Sequence, residues 1–234
     1  MRKTVLTILL MLSALALQAR NYGCDRYSIS VYGNYGYNMT WKDYGGIDVR
    51  GFLPLGRHFE MAAGAELLSA GVFAATVNAT PKFPLPVGEI FIDGTVCCRS
   101  LFKYSTAELV AALSAGYRMD YVSAQIGAFY RGIFSTGGNA DGSYVGEIPV
   151  NVLYRLAFNV RPVKSRWNAG GGITNFSVYE YERMWQPMLF IDGRFDINEH
   201  FGMQACVFFR QAGFFHQIAS IYGIDAKVGV SYRF

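Results

Sequence analysis

Apolar and polar residues alternate with a period of two along most of this chain. The clearest run is Val150, Val152, Tyr154, Leu156, Phe158 and Val160, interleaved with Asn151, Arg155, Asn159 and Arg161. Successive side chains of a strand point to opposite faces, so such a run builds one apolar face and one polar face. Comparable stripes recur from Tyr27 onward, among them Ile47-Val49-Leu53-Leu55, Ile90-Ile92-Val96-Cys98 and Phe201-Met203-Ala205-Val207-Phe209. The pattern predicts about twelve antiparallel strands, with ten or fourteen also compatible. Gly56-Arg57-His58 and the Pro84-Pro86-Gly88 region mark tight turns, and Gly132 to Gly146 is the longest expected loop. The sixth strand, Ala107 to Met119, is ambiguous, because Glu108 to Leu113 also fits a short helix.

The two ends of the chain sharpen this picture. Residues 1–19 place Arg2 and Lys3 ahead of an apolar run from Val5 to Leu17 that closes on Ala16 and Ala19, the pattern of a secretory signal peptide cleaved after Ala19. The run is too short for a membrane helix, which needs roughly 20 apolar residues. Cys24 follows Asn21, Tyr22 and Gly23, well past the apolar run, so it does not read as a lipid-modified terminus. At the other end Tyr222, Ile224, Ala226, Val228, Val230, Tyr232 and Phe234 alternate with Gly223, Asp225, Lys227, Gly229, Ser231 and Arg233. This segment resembles the C-terminal assembly signal of outer-membrane barrel proteins, with Tyr232 and Phe234 as its aromatic elements.

Composition agrees with a surface that does not mainly face water. Aromatic residues make up 16% of the chain and charged residues only 16%, against roughly a quarter charged in a globular protein. Beyond the leader no segment is long and apolar enough for a membrane helix, so a membrane-spanning chain of this kind must satisfy its backbone in a closed sheet. The net charge of +4 suits an anionic lipid surface, and without a basic run it carries no nucleic-acid footprint.

The residues between the apolar stripes would face the lumen of such a barrel, and they sort by sign. Strands two to six bring Asp48, Glu60, Glu66, Glu89, Asp93 and Glu108, against Arg50, Arg99 and Arg118. Strands seven to twelve bring Arg131, Arg155, Arg161, Arg194, Arg210, Lys227 and Arg233, against Asp192, Asp196 and Asp225. One expectation is a polar pore with a transverse field. The other is a lumen closed by arginine–carboxylate pairs, because buried charges need partners.

Other chemistry is thin. Cys24, Cys97, Cys98 and Cys206 show no zinc-like spacing, and Cys97 and Cys98 point to opposite faces of one strand. His58 and His200 fall in turns, and His216 with Ser220 lacks a third residue to orient the imidazole. No metal or cofactor motif is present. Gly137 to Gly142 supplies too few carboxylates for a calcium loop, and Ser177 to Trp185 mixes aromatics and charges in a way that suits surface recognition as well as an interface girdle.

Over its whole expected mature length, residues 20–234, the chain resembles the small outer-membrane β-barrel, porin-like proteins of Gram-negative bacteria. The resemblance implies an all-β, transmembrane, antiparallel up-and-down barrel in the bacterial outer membrane, contacting lipid and lipopolysaccharide and inserted by the barrel-assembly machinery. An even strand number would put both termini on the periplasmic side. Three functions remain open at this point: a narrow pore for small polar solutes, a structural or surface-binding barrel, and an outer-membrane lipid hydrolase.

Overall fold

The computed structural model describes residues 26–38, 42–136, 144–160, 165–177, 182, 184, 186–212 and 220–234. The expected signal peptide, Cys24, Trp41, Arg161 and His216 lie outside the described residues. Among those described, twelve strands follow one another: β1 (Ser28–Asn38), β2 (Lys42–Pro54), β3 (Phe59–Leu68), β4 (Val72–Pro84), β5 (Glu89–Leu101), β6 (Thr106–Arg118), β7 (Val122–Ser135), β8 (Tyr144–Val160), β9 (Trp167–Thr174), β10 (Met188–Asp196), β11 (Phe201–Ala212) and β12 (Ser220–Arg233). Each pairs antiparallel with its neighbours in sequence, and β1 pairs with β12 from Ser28↔Arg233 to Asn38↔Gly223, closing the sheet. Closure gives every strand two paired neighbours, which is the condition for a sheet to sit in hydrocarbon; β8 runs on past its β9 partner at Arg155↔Thr174.

The alternation seen in the sequence becomes the two faces of this wall. Val31, Val49, Leu67, Val77, Val96, Leu113, Ile126, Leu156, Ile191 and Val228 are all exposed on the outside, while Ser30, Asp48, Glu66, Thr76, Glu108, Asn168 and Lys227 are buried within. A protein in water would have this arrangement reversed, so the apolar belt faces lipid. Near the chain ends the rings of Phe201, Tyr232 and Phe234 meet edge-on at 5.0 Å centroid separations, and Trp167 packs on Phe195 at 5.0 Å. These amphipathic and aromatic side chains cluster where a membrane interface would fall.

The start of β1 and the end of β12 pair at one rim, called the terminal rim below, and the turns β2–β3, β4–β5, β6–β7 and β10–β11 lie there. In the turn between β4 and β5 the Leu85 N–H donates to Gly88 O at 2.9 Å. Gly88 adopts φ +81°, and a Cβ there would fall 2.4 Å from Arg118 O, so conformation and space both demand glycine.

Two features differ from or settle the sequence expectation. Residues 108–113 are strand, because β6 pairs along its whole length with β5 and β7. The described flanks of the expected loop Gly132 to Gly146, residues 132–135 and 144–146, continue the β7–β8 hairpin, with Gly132↔Glu147, Ile133↔Gly146 and Phe134↔Tyr144 still paired; residues 137–143 lie outside the described residues. Register shifts between Phe129 and Arg131 and between Ile133 and Phe134 break the period-two pattern there, so the ladder continues where the alternation stops.

Candidate functional site: the barrel lumen

The inner wall begins with glycines, because they decide how much of the bore side chains fill. Tyr32 lies directly opposite Gly229, Tyr44 opposite Gly36 and Phe91 opposite Gly116. A Cβ at Gly116 would fall 2.4 Å from the Phe91 ring, and one at Gly229 would fall 2.6 Å from the Tyr32 ring. Each ring is therefore laid along the wall over the bare backbone of the next strand, with its apolar area covered there instead of at the axis.

Charged side chains fill much of the remaining bore, and they meet in pairs. Lys227 Nζ lies 2.6 Å from Glu66 Oε1 and 3.5 Å from Asp48 Oδ2, and Arg50 Nε donates to the same Asp48 oxygen at 2.8 Å. Glu108 accepts from Arg99 Nε at 2.8 Å and from Arg131 Nη2 at 2.6 Å. At the terminal rim Glu60 meets Lys82 at 2.9 Å, Glu89 meets Arg118 at 3.0 Å, and Asp196 meets both Arg194 and Arg233 at 2.9 Å. Asp93 differs: its partners are the amides of Asn78 and Gln125 and the hydroxyl of Thr80. Arg210 is buried and lines a small cavity with Glu66, Asp225 and Lys227.

The acidic and basic walls expected from the sequence thus do not confront each other across open water. Glu108 pairs on its own side with Arg99 and across the β6–β7 boundary with Arg131, while Lys227 reaches from β12 over β1 and β2 to β3. The Arg118 side chain is 30% exposed at the terminal rim, whereas Glu108 nearer the opposite rim is 5% exposed.

That opposite half is narrowed by a segment that carries no strand alternation of its own. After β9 the chain turns into the bore at Asn175, which is fully enclosed. Its amide donates to Val152 O at 2.7 Å and accepts from the Tyr154 N–H at 2.8 Å, and Thr174 Oγ1 donates to Tyr154 O at 2.9 Å. These bonds take up backbone groups of β8 beyond Arg155↔Thr174, where its pairing with β9 ends. Phe176 then packs on an apolar patch of Ala74, Cys97, Val110, Phe129 and Leu153. Ser177 faces the far wall, where a cavity of about 10 Å³ among Glu66, Leu68, Phe208, Arg210, Asp225 and Lys227 remains. That space suits about one water molecule. The inward positions Ala74, Cys97, Val110, Phe129 and Leu153 form one apolar island in the lining, and Tyr44, Leu68, Val72 and Leu101 form a second; the first is a sequence signal for this contact. Lys82 is absent from the lumen charges expected from the sequence, and its alternation with outward Phe83 is the signal that marks it as inward.

The remaining candidates lie apart from this site. Cys97 belongs to the apolar patch, Cys98 is exposed on the outer wall and Cys206 is half-buried; all three are free thiols. His58 Nδ1 lies 3.3 Å from Lys82 O and His200 Nδ1 lies 3.0 Å from Arg233 O, both at the terminal rim.

No family model matches the sequence, and no curated protein matches it. Solved structures do match in shape. The NanC porin aligns with a TM-score of 0.55 at 10% identity, covering 88% of this chain and 100% of that one. The KdgM porin in complex with disordered oligogalacturonate aligns at 0.54 and 13% identity, covering 88% and 99%. The translocator domain of the autotransporter NalP from Neisseria meningitidis aligns at 0.52 and 12% identity, covering 99% and 96%. Closed topology, lipid-facing belt, polar lumen and these likenesses converge on one architecture: the chain has the fold of a small, porin-like outer-membrane β-barrel.

Proposed function

We propose that this barrel is a narrow pore for small polar solutes in the bacterial outer membrane. The observation that carries the reading is the lining: hydrophilic side chains continue from Glu60, Lys82 and Glu89 at the terminal rim to Glu66 and Asp225 beneath Ser177, while Tyr32, Tyr44 and Phe91 are pressed onto glycines. Two barrels of the same architecture bear the name porin, which supports the reading. On this reading residues 1–19 are removed during export, the terminal rim faces the periplasm, and the opposite end meets lipopolysaccharide. Tyr232 and Phe234 present the assembly signal to the barrel-assembly machinery, and Asp48, Glu60, Glu66, Glu89, Asp93, Glu108, Arg131, Arg155, Arg194, Arg210 and Lys227 are the lumen charges a solute passes.

A structural or surface-binding barrel is the second reading, and one observation favours it: Phe176 and Ser177 touch opposite walls of the bore. Planar-bilayer recordings separate the two. A pore gives a small wild-type conductance that rises in Phe176→Ala, where the ring is removed from the constriction. Absence of conductance in both proteins, each shown to be folded by its heat-dependent gel mobility, sinks the pore and leaves the structural reading.

A further inference from the structure

We infer that Arg155 is a binding subsite for the carboxylate of a small monoanionic solute. The inference deepens the pore reading and relies on it for how the solute arrives. Its origin is a contrast within the lumen. Arg99, Arg118, Arg131, Arg194 and Lys227 each hold a carboxylate oxygen within ion-pair distance. Arg155 holds none among the described residues. Its contact is with an aromatic ring: the guanidinium carbon lies 4.6 Å from the centre of Phe190 on β10.

The wall explains how that contact forms. Gly172 of β9 stands between Ala157 of β8 and Phe190 of β10 in the ladder, so no side chain separates the two flanking strands there. Arg155 crosses this gap and stacks on the ring. Stacking occupies the face of the guanidinium and leaves its N–H edges, which lie in the plane and match the two oxygens of a carboxylate. Arg155 is only half-buried, so those edges reach the lumen. A guanidinium withdrawn from bulk water without a hydrogen-bonded anion is costly, and an arriving carboxylate supplies what the wall does not.

Charge around the site selects among anions. Asp192, Arg118 and Asp93 lie near enough to act on the Arg155 charge, although none bonds to it. Two guanidiniums whose charge two carboxylates already offset tolerate one added negative charge better than two, which favours a carboxylate over a doubly ionised phosphate. Position adds a role. Leu153, the neighbouring inward residue on β8, carries Phe176, so a solute held by Arg155 rests against the constriction.

The test is equilibrium binding of gluconate, glucose and inorganic phosphate to the refolded wild-type barrel in detergent, followed by NMR or calorimetry. Gluconate is expected to bind, glucose not, and phosphate more weakly than gluconate. Arg155→Gln should weaken gluconate by about tenfold, from the loss of charge-assisted hydrogen bonds. Arg155→Lys should weaken it too, since a point charge lacks the fork, and Phe190→Leu should do so by releasing the stack. Equal binding of gluconate and glucose, gluconate affinity unchanged in folded Arg155→Gln, or tighter phosphate than gluconate would each overturn the assignment. Conductance is a separate readout. A conducting barrel without gluconate binding loses only the subsite, and Arg155-dependent binding without conductance loses only the pore.

Discussion

Lys227 Nζ lies 2.6 Å from Glu66 Oε1, joining the last strand to the third across the seam where β12 meets β1. Glu66 also accepts from Asn34 Nδ2 at 2.6 Å, so a residue from β1 lies inside the same bridge. Both charged groups are buried. Lys227→Met should destabilise the barrel by about 3–5 kcal/mol, because it leaves Glu66 charged and uncompensated in the lumen. Adding Glu66→Gln should recover part of that loss, since the stranded charge is then removed. Urea unfolding in micelles measures both, and a double variant no more stable than Lys227→Met would deny the pairing.

The ring-on-glycine joints make a steric prediction. At Gly116 a Cβ would meet the Phe91 ring at 2.4 Å and Ala124 O at 2.7 Å, whereas at Gly33 the nearest atom is Val228 O at 3.9 Å. Gly116→Ala should therefore destabilise by about 1–3 kcal/mol, and Gly33→Ala should stay within about 0.5 kcal/mol of wild type. Similar unfolding curves for the two variants would show that Phe91 yields freely and does not fix the wall.

Register supplies a third prediction. Leu156 and Val152 are exposed on the outer wall, while Asn151 alternates with them on the lumen side. Leu156→Arg should cost about 2–4 kcal/mol, by placing a charge in the lipid belt, and Asn151→Arg distinctly less. Unfolding of the two variants in lipid vesicles reads the contrast. Equal costs would mean that the outward and inward faces of β8 are exchanged.

How far the sequence carries this structure depends on what kind of signal each feature leaves. Strands whose outward stripe is unbroken, such as β8 from Val150 to Val160 and β12 from Tyr222 onward, are legible because lipid and lumen demand opposite chemistry at adjacent positions. β6 is ambiguous in isolation, since Leu109, Val110, Ala111 and Ala112 suit either period, and only pairing with two neighbours decides it. The β7–β8 extension is hidden by its bulges. Within the lumen the sequence shows which residues face inward but not which meet. Lys227 and Glu66 are separated by 161 positions, and their contact follows from barrel closure. The inward turn at Asn175 leaves no periodic trace at all, because it is held by side-chain bonds to the backbone of β8.

Neutralising two lumen carboxylates should have different consequences, because their surroundings differ. Glu108 holds two guanidiniums, Arg99 and Arg131, and Glu108→Gln leaves both without their shared anion at a buried position. That variant should lose about 3–5 kcal/mol of stability. Asp93 is held by Asn78, Thr80 and Gln125, none of them charged, and Asp93→Asn retains an acceptor of nearly the same shape. It strands no cation, so its stability should change by about 1 kcal/mol or less. What it removes is one fixed negative charge in the field of Arg155, and ions in a narrow pore respond to the fixed charge around them. Reversal potentials under a salt gradient, recorded in the Phe176→Ala background to widen the path, should therefore shift toward anions for Asp93→Asn. If that variant keeps the parent's selectivity while Glu108→Gln remains as stable as wild type, neither carboxylate acts as its neighbours imply, and the charge arrangement of the lumen has no bearing on permeation.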